Sequence, residues 1–274
     1  MTSQPQLRIF ATADEVAAGA AGEIARVLAE AIRDRGVAHW STTGGSAAPP
    51  IYRLLGEAPL RDAVDWSRVH VWWGDDRYVP EDHPSSNVLP LTQILLATGG
   101  DEGMAGVLNA DVGDHGLGAP IPLENIHPIP TSVAIGRGTG TAAAAAAYDT
   151  EIRAHVPAGP DGLPAFDLIV LGVGPDGHIL SVFPGSEVWD ASDLVVGVPA
   201  PTHVEPHIPR VTVHPRLVRA ARRVIVVTTG GSKAASLGRA WSGDDLRELP
   251  VRVARIPTAI WFLDEAAAAG LVGG

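Results

Sequence analysis

Apolar residues along this chain fall into short runs that alternate with longer stretches of amphipathic, helical periodicity. The runs rich in β-branched and aromatic residues predict strands at residues 37–42, 68–73, 166–171, 210–213, 223–229 and 258–263. Helical patterns occupy residues 12–33, 88–97, 140–155 and 234–241. Because strands alternate with helices, the pattern predicts an α/β fold with a mostly parallel sheet and helices on both faces, in a single domain.

Two local sequence signals indicate where the first helix begins and where the domain contains a flexible connection. Thr12 followed by Glu15 forms a capping box, which predicts the start of the first long helix. Residues 99–118 are rich in Gly and Asp, which predicts a flexible connection. We therefore expect one domain over residues 1–274, with either a small subdomain or a flexible insertion around 99–130.

Composition narrows the classes of function. Of the 274 residues 46% are hydrophobic, enough for a full-sized core, and the absence of cysteine excludes disulfides, a thiolate zinc site and a cysteine nucleophile. The formal net charge of -11 argues against nucleic acid or an anionic membrane as a partner, although a local basic cluster can still bind a small phosphorylated ligand. We see no secretory signal pattern and no run long enough to span a bilayer, so we expect a cytoplasmic protein.

The most informative stretch is the glycine-rich turn at residues 171–178, at the end of the predicted strand 166–171. It carries Asp176 and His178, two residues apart. Ligands of open α/β sheets bind at the carboxyl ends of strands, where an acid and an imidazole are suited to proton transfer near neutral pH. The alternative interpretation is a tight turn whose aspartate caps a helix and whose histidine lies at the surface.

A second polar cluster, made of Asp75, Asp76 and Arg77, follows the aromatic strand 68–73. Either carboxylate can act as a base or orient Arg77, and the guanidinium suits bidentate contact with phosphate or carboxylate. The alternative is a structural Asp–Arg pair that holds the loop. His83 lies nearby in the sequence, but its spacing from the two aspartates matches no metal-ligand pattern, so we expect no metal.

Three further segments carry groups that can bind an anion. Gly44, Gly45 and Ser46 join a strand to a helix, where backbone N–H groups and the helix N-terminus attract anions. This loop is neither a Walker loop nor a dinucleotide-binding turn. Lys233 begins a helix after two glycines, a position that the helix dipole makes unfavourable for a cation unless an anion binds there; a solvated surface lysine is the alternative. Arg210 stands at the start of a predicted strand.

Taken together, these segments resemble the 6-phosphogluconolactonase family, in order and over nearly the whole chain. The matching segments are residues 43–46, 73–77, 84–87, 172–185, 209–212, 230–234 and 261–264. The resemblance implies a Rossmann-like α/β fold, shared with glucosamine-6-phosphate deaminases, and hydrolysis of 6-phospho-D-glucono-1,5-lactone to 6-phospho-D-gluconate in the oxidative branch of the pentose phosphate pathway. It implies no metal and no organic cofactor, and a phosphosugar lactone as the partner. We expect a monomer or weak homodimer.

The chain departs from the family pattern in two places. Ile179 and Leu180 stand where the family usually has Thr-Ala before Ser181, which changes the side chains beside His178. Ala47 replaces a threonine after the first glycine loop and removes one hydroxyl donor to phosphate.

The hypothesis that follows is a metal-free lactonase. A lactone is an activated ester, so water deprotonated by an imidazole is a sufficient nucleophile. His178 is the expected base, and Asp176 or Asp75 orients its ring. Arg77 or loop N–H groups stabilise the negative charge on the carbonyl oxygen. The phosphate is expected among Gly44, Gly45, Ser46, Arg210 and Lys233.

Two other functions stay open at this stage. An isomerase or deaminase of amino-sugar phosphates fits the same fold and the Asp176–His178 pair, but such enzymes carry an Asp-Glu-Tyr-like segment where this chain has residues 75–77. A non-catalytic sugar-phosphate sensor uses a related fold, usually with an attached DNA-binding module, and the chain shows no basic helix for that role.

Overall fold

The computed structural model describes residues 4–96 and 118–271. The flexible connection predicted at 99–118 lies almost entirely outside the described residues, as does the first part of the insertion expected around 99–130. The described end of that region contains a short strand, Ile126–His127, which pairs with the main sheet.

The described strands form two sheets. In chain order they are β1 (Gln6–Phe10), β2 (Ala38–Thr42), β3 (Val69–Trp73), β4 (Asp75–Arg77), β5 (Ile126–His127), β6 (Leu168–Gly172), β7 (Val195–Val198), β8 (Arg210–Val213), β9 (Val224–Thr228) and β10 (Ala259–Asp264). The main sheet has the order β1-β10-β9-β6-β2-β3-β5, with every pair parallel. The small sheet, β4-β8-β7, is antiparallel.

Helices flank the main sheet and cover its apolar strands. They are α1 (Ala13–Arg35), α2 (Ala48–Leu55), α3 (Val88–Pro90), α4 (Thr131–Arg137), α5 (Gly140–His155), α6 (Arg216–Ala220), α7 (Ala234–Trp241) and α8 (Glu265–Ala268). The strand side chains Trp40, Trp72 and Trp261 are fully buried between the layers. This arrangement confirms the predicted α/β fold with a mostly parallel sheet in a single domain. No helix within residues 4–96 and 118–271 combines the length and apolar character needed to cross a membrane.

The order of the strands places a ligand crevice at the β2–β6 pair. From β2 the chain continues to β3 on one side, whereas from β6 the next strand of this sheet is β9, on the other side. A reversal of this kind opens a crevice at the carboxyl ends of the strands, where ligands of open α/β sheets bind. The loops after these strands carry most of the predicted site residues.

Most predicted elements are present, and several differences have local causes. The capping box is confirmed, because the Thr12 hydroxyl accepts the Glu15 N–H at 3.2 Å and the Glu15 carboxylate accepts the Thr12 N–H at 3.1 Å.

The helix predicted at 88–97 is only partly regular. It starts as α3 and continues through Leu91–Leu95 as a π-helix, next to Pro90, which has no N–H to donate.

Four strands were not predicted: β1, β4, β5 and β7. The strand β4 lies in the segment 74–87, whose polar composition predicts a loop. It forms because its backbone pairs with β8, far away in sequence. Strands of two to five residues that depend on such distant partners leave little trace in local patterning.

Candidate active site

An open pocket lies over the crevice, at the carboxyl ends of the central strands. The predicted site residues that line it are Gly44, Gly45, Ser46, Asp75, Arg77, His178, Arg210 and Lys233. The remaining one, Asp176, is hydrogen-bonded to His178 behind this lining. Residues that sequence reasoning did not assign to the site also line it: Thr43, Asn87, Gly172, Val173, Leu180, Thr228 and Thr229.

Asp176 and His178 form the most direct acid–imidazole contact in the pocket. Asp176 Oδ1 lies 2.5 Å from His178 Nδ1 and 3.1 Å from the His178 backbone nitrogen, whose N–H it accepts. Burial opposes ionisation of Asp176, but the hydrogen bonds and charge of His178 prevail and lower the pKa of the carboxyl to about 2. An ionised Asp176 fixes the proton of the neutral ring on Nδ1, which leaves the Nε2 lone pair available as a base.

Backbone geometry explains the glycines of this turn. A side chain on Gly174 would place its Cβ 2.1 Å from the His178 ring, and Gly177 has a φ of +84°, a left-handed conformation that favours glycine. Leu180 is the one non-glycine residue in the described ranges with positive φ, at 55°. Its side chain lines the pocket and reaches within 2.5 Å of the position that a Cβ on Gly74 would take.

Asp75 has different partners from those expected. Its carboxylate accepts hydrogen bonds from the Ser181 hydroxyl at 2.5 Å and from the Asn87 amide at 3.4 Å. Of the two carboxylates considered as partners of the His178 ring, the structure therefore places Asp176 in contact and commits Asp75 elsewhere. Local sequence could not distinguish them, because the contact of Ser181 with Asp75 spans 106 residues.

Asp76 organises the loop that leads away from β4. Its buried carboxylate accepts the backbone N–H groups of Arg77 and Asn87, both at 2.7 Å, and the Ser86 hydroxyl at 2.8 Å. These hydrogen bonds lower the pKa of Asp76, but the effect of burial is larger and raises it to about 7. The loop held in this way brings the Asn87 side chain against Gly44, where a Cβ would lie 1.8 Å from the amide oxygen.

Arg77 and Arg210 present two cations to the pocket. They are cross-strand partners in the β4–β8 pair, and their hydrogen bonds go to backbone carbonyls, Arg77 to Ser85 at 2.7 Å and Arg210 to Pro206 at 3.2 Å. Arg210 is only 2% exposed, and burial lowers its pKa. The charge of Asp75 opposes this shift, whereas the charge of Arg77 adds to it. In the described part of the chain no carboxylate lies within ion-pair distance of either guanidinium, which excludes the structural Asp–Arg pair considered above.

The second glycine loop brings Lys233 to the same pocket. Gly230 has a φ of +88°, and its N–H is accepted by Asp264, which also caps α8 through Ala267. This places a 3-10 turn, Gly231–Lys233, before α7 with Lys233 facing the pocket. The chain has 20 Lys and Arg residues in all, and Lys233 is its only lysine.

Several buried donors at the pocket have no protein acceptor among the described residues. They are Nε of Arg77, Nε of Arg210 and the hydroxyl of Thr228. The Nε atoms of Arg216, Arg252 and Arg255, which do not line the pocket, are also buried without an acceptor among the described residues, so this feature does not by itself identify a ligand.

Known proteins similar to this chain share its organisation. The family model described as Glucosamine-6-phosphate isomerases/6-phosphogluconolactonase matches residues 11–261. The 6-phosphogluconolactonase of Streptomyces coelicolor is 33% identical over 276 residues, which cover 99% of this chain and 96% of the relative. The 6-phosphogluconolactonase structure from Trypanosoma brucei has a TM-score of 0.80 at 24% identity, covering 98% of this chain and 100% of its own. A monomeric glucosamine-6-phosphate deaminase has a TM-score of 0.70 at 16% identity, covering 96% and 99%. The two structural likenesses concern the fold alone.

Proposed function

This chain belongs to the glucosamine-6-phosphate isomerase/6-phosphogluconolactonase family, and on that premise we propose that it hydrolyses 6-phospho-D-glucono-1,5-lactone to 6-phospho-D-gluconate. One observation supports the proposal: Arg77 and Arg210, which form no ion pair within the described residues, line the same pocket as His178, whose ring is hydrogen-bonded to Asp176. The first feature suits a phosphate and a developing oxyanion, and the second suits deprotonation of water. The hydrolysis of 6-phospho-D-glucono-1,5-lactone needs both, because the substrate carries a phosphate and its carbonyl carbon is attacked by water.

His178 is the general base of the proposed reaction. Its Nε2 takes a proton from water as the water oxygen attacks C1 of the lactone, and Asp176 stabilises the imidazolium that forms. The bond between C1 and the ring oxygen then breaks, and the imidazolium returns its proton to the leaving alkoxide. The product acid loses its own proton to solvent. Base catalysis of this kind is worth roughly 10²–10⁴-fold in rate.

The cations divide between the two ends of the substrate. Arg77 stabilises the carbonyl oxygen as it gains negative charge, an effect worth about 3–4 kcal/mol per donor in other enzymes. Asp75, held at the pocket wall by its own hydrogen bonds, accepts hydrogen bonds from hydroxyl groups of the sugar. The phosphate lies among Gly44, Gly45, Ser46, Arg210 and Lys233. Its binding energy fixes the lactone ring relative to His178.

A deaminase or isomerase of amino-sugar phosphates is the second candidate, since the family and the fold include both activities. The discriminating experiment supplies the purified protein with fresh 6-phospho-D-glucono-1,5-lactone and, separately, with glucosamine 6-phosphate. We expect lactone loss far above the spontaneous rate and no release of ammonia. Ammonia release without lactone hydrolysis would replace the proposal by the second candidate, and tight binding of phosphosugars without turnover would indicate a sensor.

A further inference from the structure

Asp176 lies between two imidazoles. Its Oδ1 accepts from His178 Nδ1 at 2.5 Å, and its Oδ2 lies 3.1 Å from Nε2 of His203, which is 27 residues further along the chain. Because an ionised carboxylate only accepts hydrogen bonds, His203 donates through Nε2. The site described above uses the first of these contacts and leaves the second without a role.

The segment that carries His203 is anchored around the site at several points. It connects β7 to β8 and includes residues 199–209. The Pro209 carbonyl accepts the Tyr78 N–H at 2.7 Å, and the Pro206 carbonyl accepts a hydrogen bond from Arg210. Val204 packs against the small hydrophobic cluster that contains Phe183. These contacts hold the segment against the pocket wall, although the His203 side chain itself is 53% exposed.

An aromatic ring sets the spacing of the two imidazoles. Phe183 packs against His178 with ring centroids 4.7 Å apart and against His203 at 5.5 Å, and it is itself almost fully buried. The Arg210 guanidinium lies over the same ring, 5.4 Å from its centroid. His178, Asp176 and His203 therefore form one packed group whose members are held from two sides.

We propose that His203 is a positioning residue, which fixes the plane of the Asp176 carboxylate and through it the orientation of the His178 ring. The proposal rests on the lactonase function proposed above. The last torsion of an aspartate is broad, so a carboxylate held through one oxygen alone can rotate. A donor on the second oxygen removes that freedom, and active-site groups need to be held within about 10–20° of the productive geometry.

The same contact also keeps Asp176 in its accepting form. The hydrogen bond from His203 is one of the interactions that lower the pKa of Asp176, after the opposing effect of burial and the larger contributions of His178. A positioning residue of this kind changes how well the base is aligned and leaves the phosphate contacts untouched. Removal of the His203 side chain is therefore expected to lower kcat and to leave KM unchanged.

The test compares His203→Ala with His203→Gln and with His207→Ala. Gln keeps an N–H donor on a side chain of similar reach. His207 lies on the same segment, and among the described residues its polar contacts are the Pro201 carbonyl and Glu205, both within that segment. We expect His203→Ala to lower kcat roughly tenfold with KM within about twofold, the loss of about one hydrogen bond to a charged group. We expect His203→Gln to recover most of kcat and His207→Ala to match the wild type.

A second measurement decides the positioning role without relying on turnover. In substrate-free protein, the proton between His178 Nδ1 and Asp176 gives a downfield NMR signal that is assigned by its absence in His178→Ala. This signal should broaden or shift in His203→Ala and persist in His203→Gln and His207→Ala. An unchanged signal together with an unchanged kcat in His203→Ala would overturn the proposal, as would a Gln variant no better than Ala. A wild type inactive on the lactone would instead contradict the proposed function, while the NMR comparison would still decide this one.

Discussion

Arg77 and Arg210 stand directly opposite each other on adjacent antiparallel strands, and both guanidinium groups lie at the pocket without a carboxylate partner in the described part of the chain. Like charges in directly opposed positions destabilise a sheet. Burial of Arg210 adds a further cost, because a buried charge needs compensation. The charges of Asp75 and Asp76 stabilise the Arg210 cation in part, and in the proposed function the substrate phosphate supplies further compensation.

The phosphate assignment predicts a substrate-dependent effect of Arg210. Arg210→Ala should raise KM for the phosphorylated lactone by roughly 5- to 150-fold, equivalent to about 1–3 kcal/mol for one charge-assisted contact. D-Glucono-1,5-lactone, which lacks the phosphate, should be a poor substrate of the wild type and scarcely affected by the substitution. Steady-state kinetics on both lactones measure this. Equal losses on the two substrates would show that Arg210 acts on the carbonyl or on folding.

Lys233 permits a chemical test because it is the only lysine of the chain. Amine acylation removes its charge and should reduce the affinity for the phosphorylated lactone, and 6-phospho-D-gluconate should protect against the modification. Mass spectrometry identifies the acylated site and separates it from the N-terminal amine. The matched control is Lys233→Arg, which keeps a cation and should resist inactivation. Acylated Lys233 with unchanged KM would remove this residue from the phosphate site.

Activity should survive exhaustive chelation. Within residues 4–96 and 118–271 no three His, Asp or Glu side chains converge in a geometry that could hold a metal ion. The pocket instead presents Arg77, Arg210 and Lys233, whose charges repel a divalent cation. Kinetics before and after treatment with EDTA measure this. Loss of activity that a divalent metal restores would contradict the proposed mechanism.

A group of histidines beneath α5 predicts that stability depends on pH. His39 accepts the Trp72 indole N–H at 3.3 Å, and His70 is hydrogen-bonded to His127 at 2.9 Å. Burial, followed by the charges of neighbouring histidines, lowers the pKa of His39 to about 3 and also lowers that of His70. The unfolded chain therefore binds more protons than the folded one as pH falls below about 6.5.

The contribution of these histidines to the free energy of unfolding should therefore not change above about pH 6.5. Between about pH 6.5 and 3 the free energy of unfolding should fall, by about 1.4 kcal/mol for each unit of difference between the folded and unfolded pKa. Urea unfolding at pH 7.5 and 5.5 measures this fall. His39→Gln retains a polar side chain that does not titrate, and the fall should be smaller in that variant. An identical fall in wild type and variant would show that His39 does not contribute.

Much of the site could be predicted because its residues follow strands. Gly44, Asp75 and His178 each come soon after an apolar run, and the carboxyl ends of parallel strands meet at one edge of a sheet. The partners of these residues could not be predicted in the same way. Whether Asp176 or Asp75 contacts His178 depends on where Ser181 and Asn87 pack, which is decided by tertiary contacts rather than by local pattern.

Two other features show the same limit. The strand β4 is a polar tripeptide whose structure comes from its pairing with β8, and nothing in its own residues indicates a strand. His203 lies in an irregular segment rich in proline, and only the fold brings it to Asp176. Predictions from sequence thus identified eight of the eighteen residues that line the pocket, whereas the hydrogen-bond network that orients them required the structure.

In the proposed mechanism His178 deprotonates the attacking water. The most direct measurement is the turnover of 6-phospho-D-glucono-1,5-lactone by wild type and His178→Ala, with the spontaneous hydrolysis subtracted and folding verified by circular dichroism. Loss of a general base predicts a fall in kcat of at least about a hundredfold, with binding of 6-phospho-D-gluconate retained because the phosphate contacts are intact. A folded His178→Ala protein with near-normal kcat would show that His178 is not the general base.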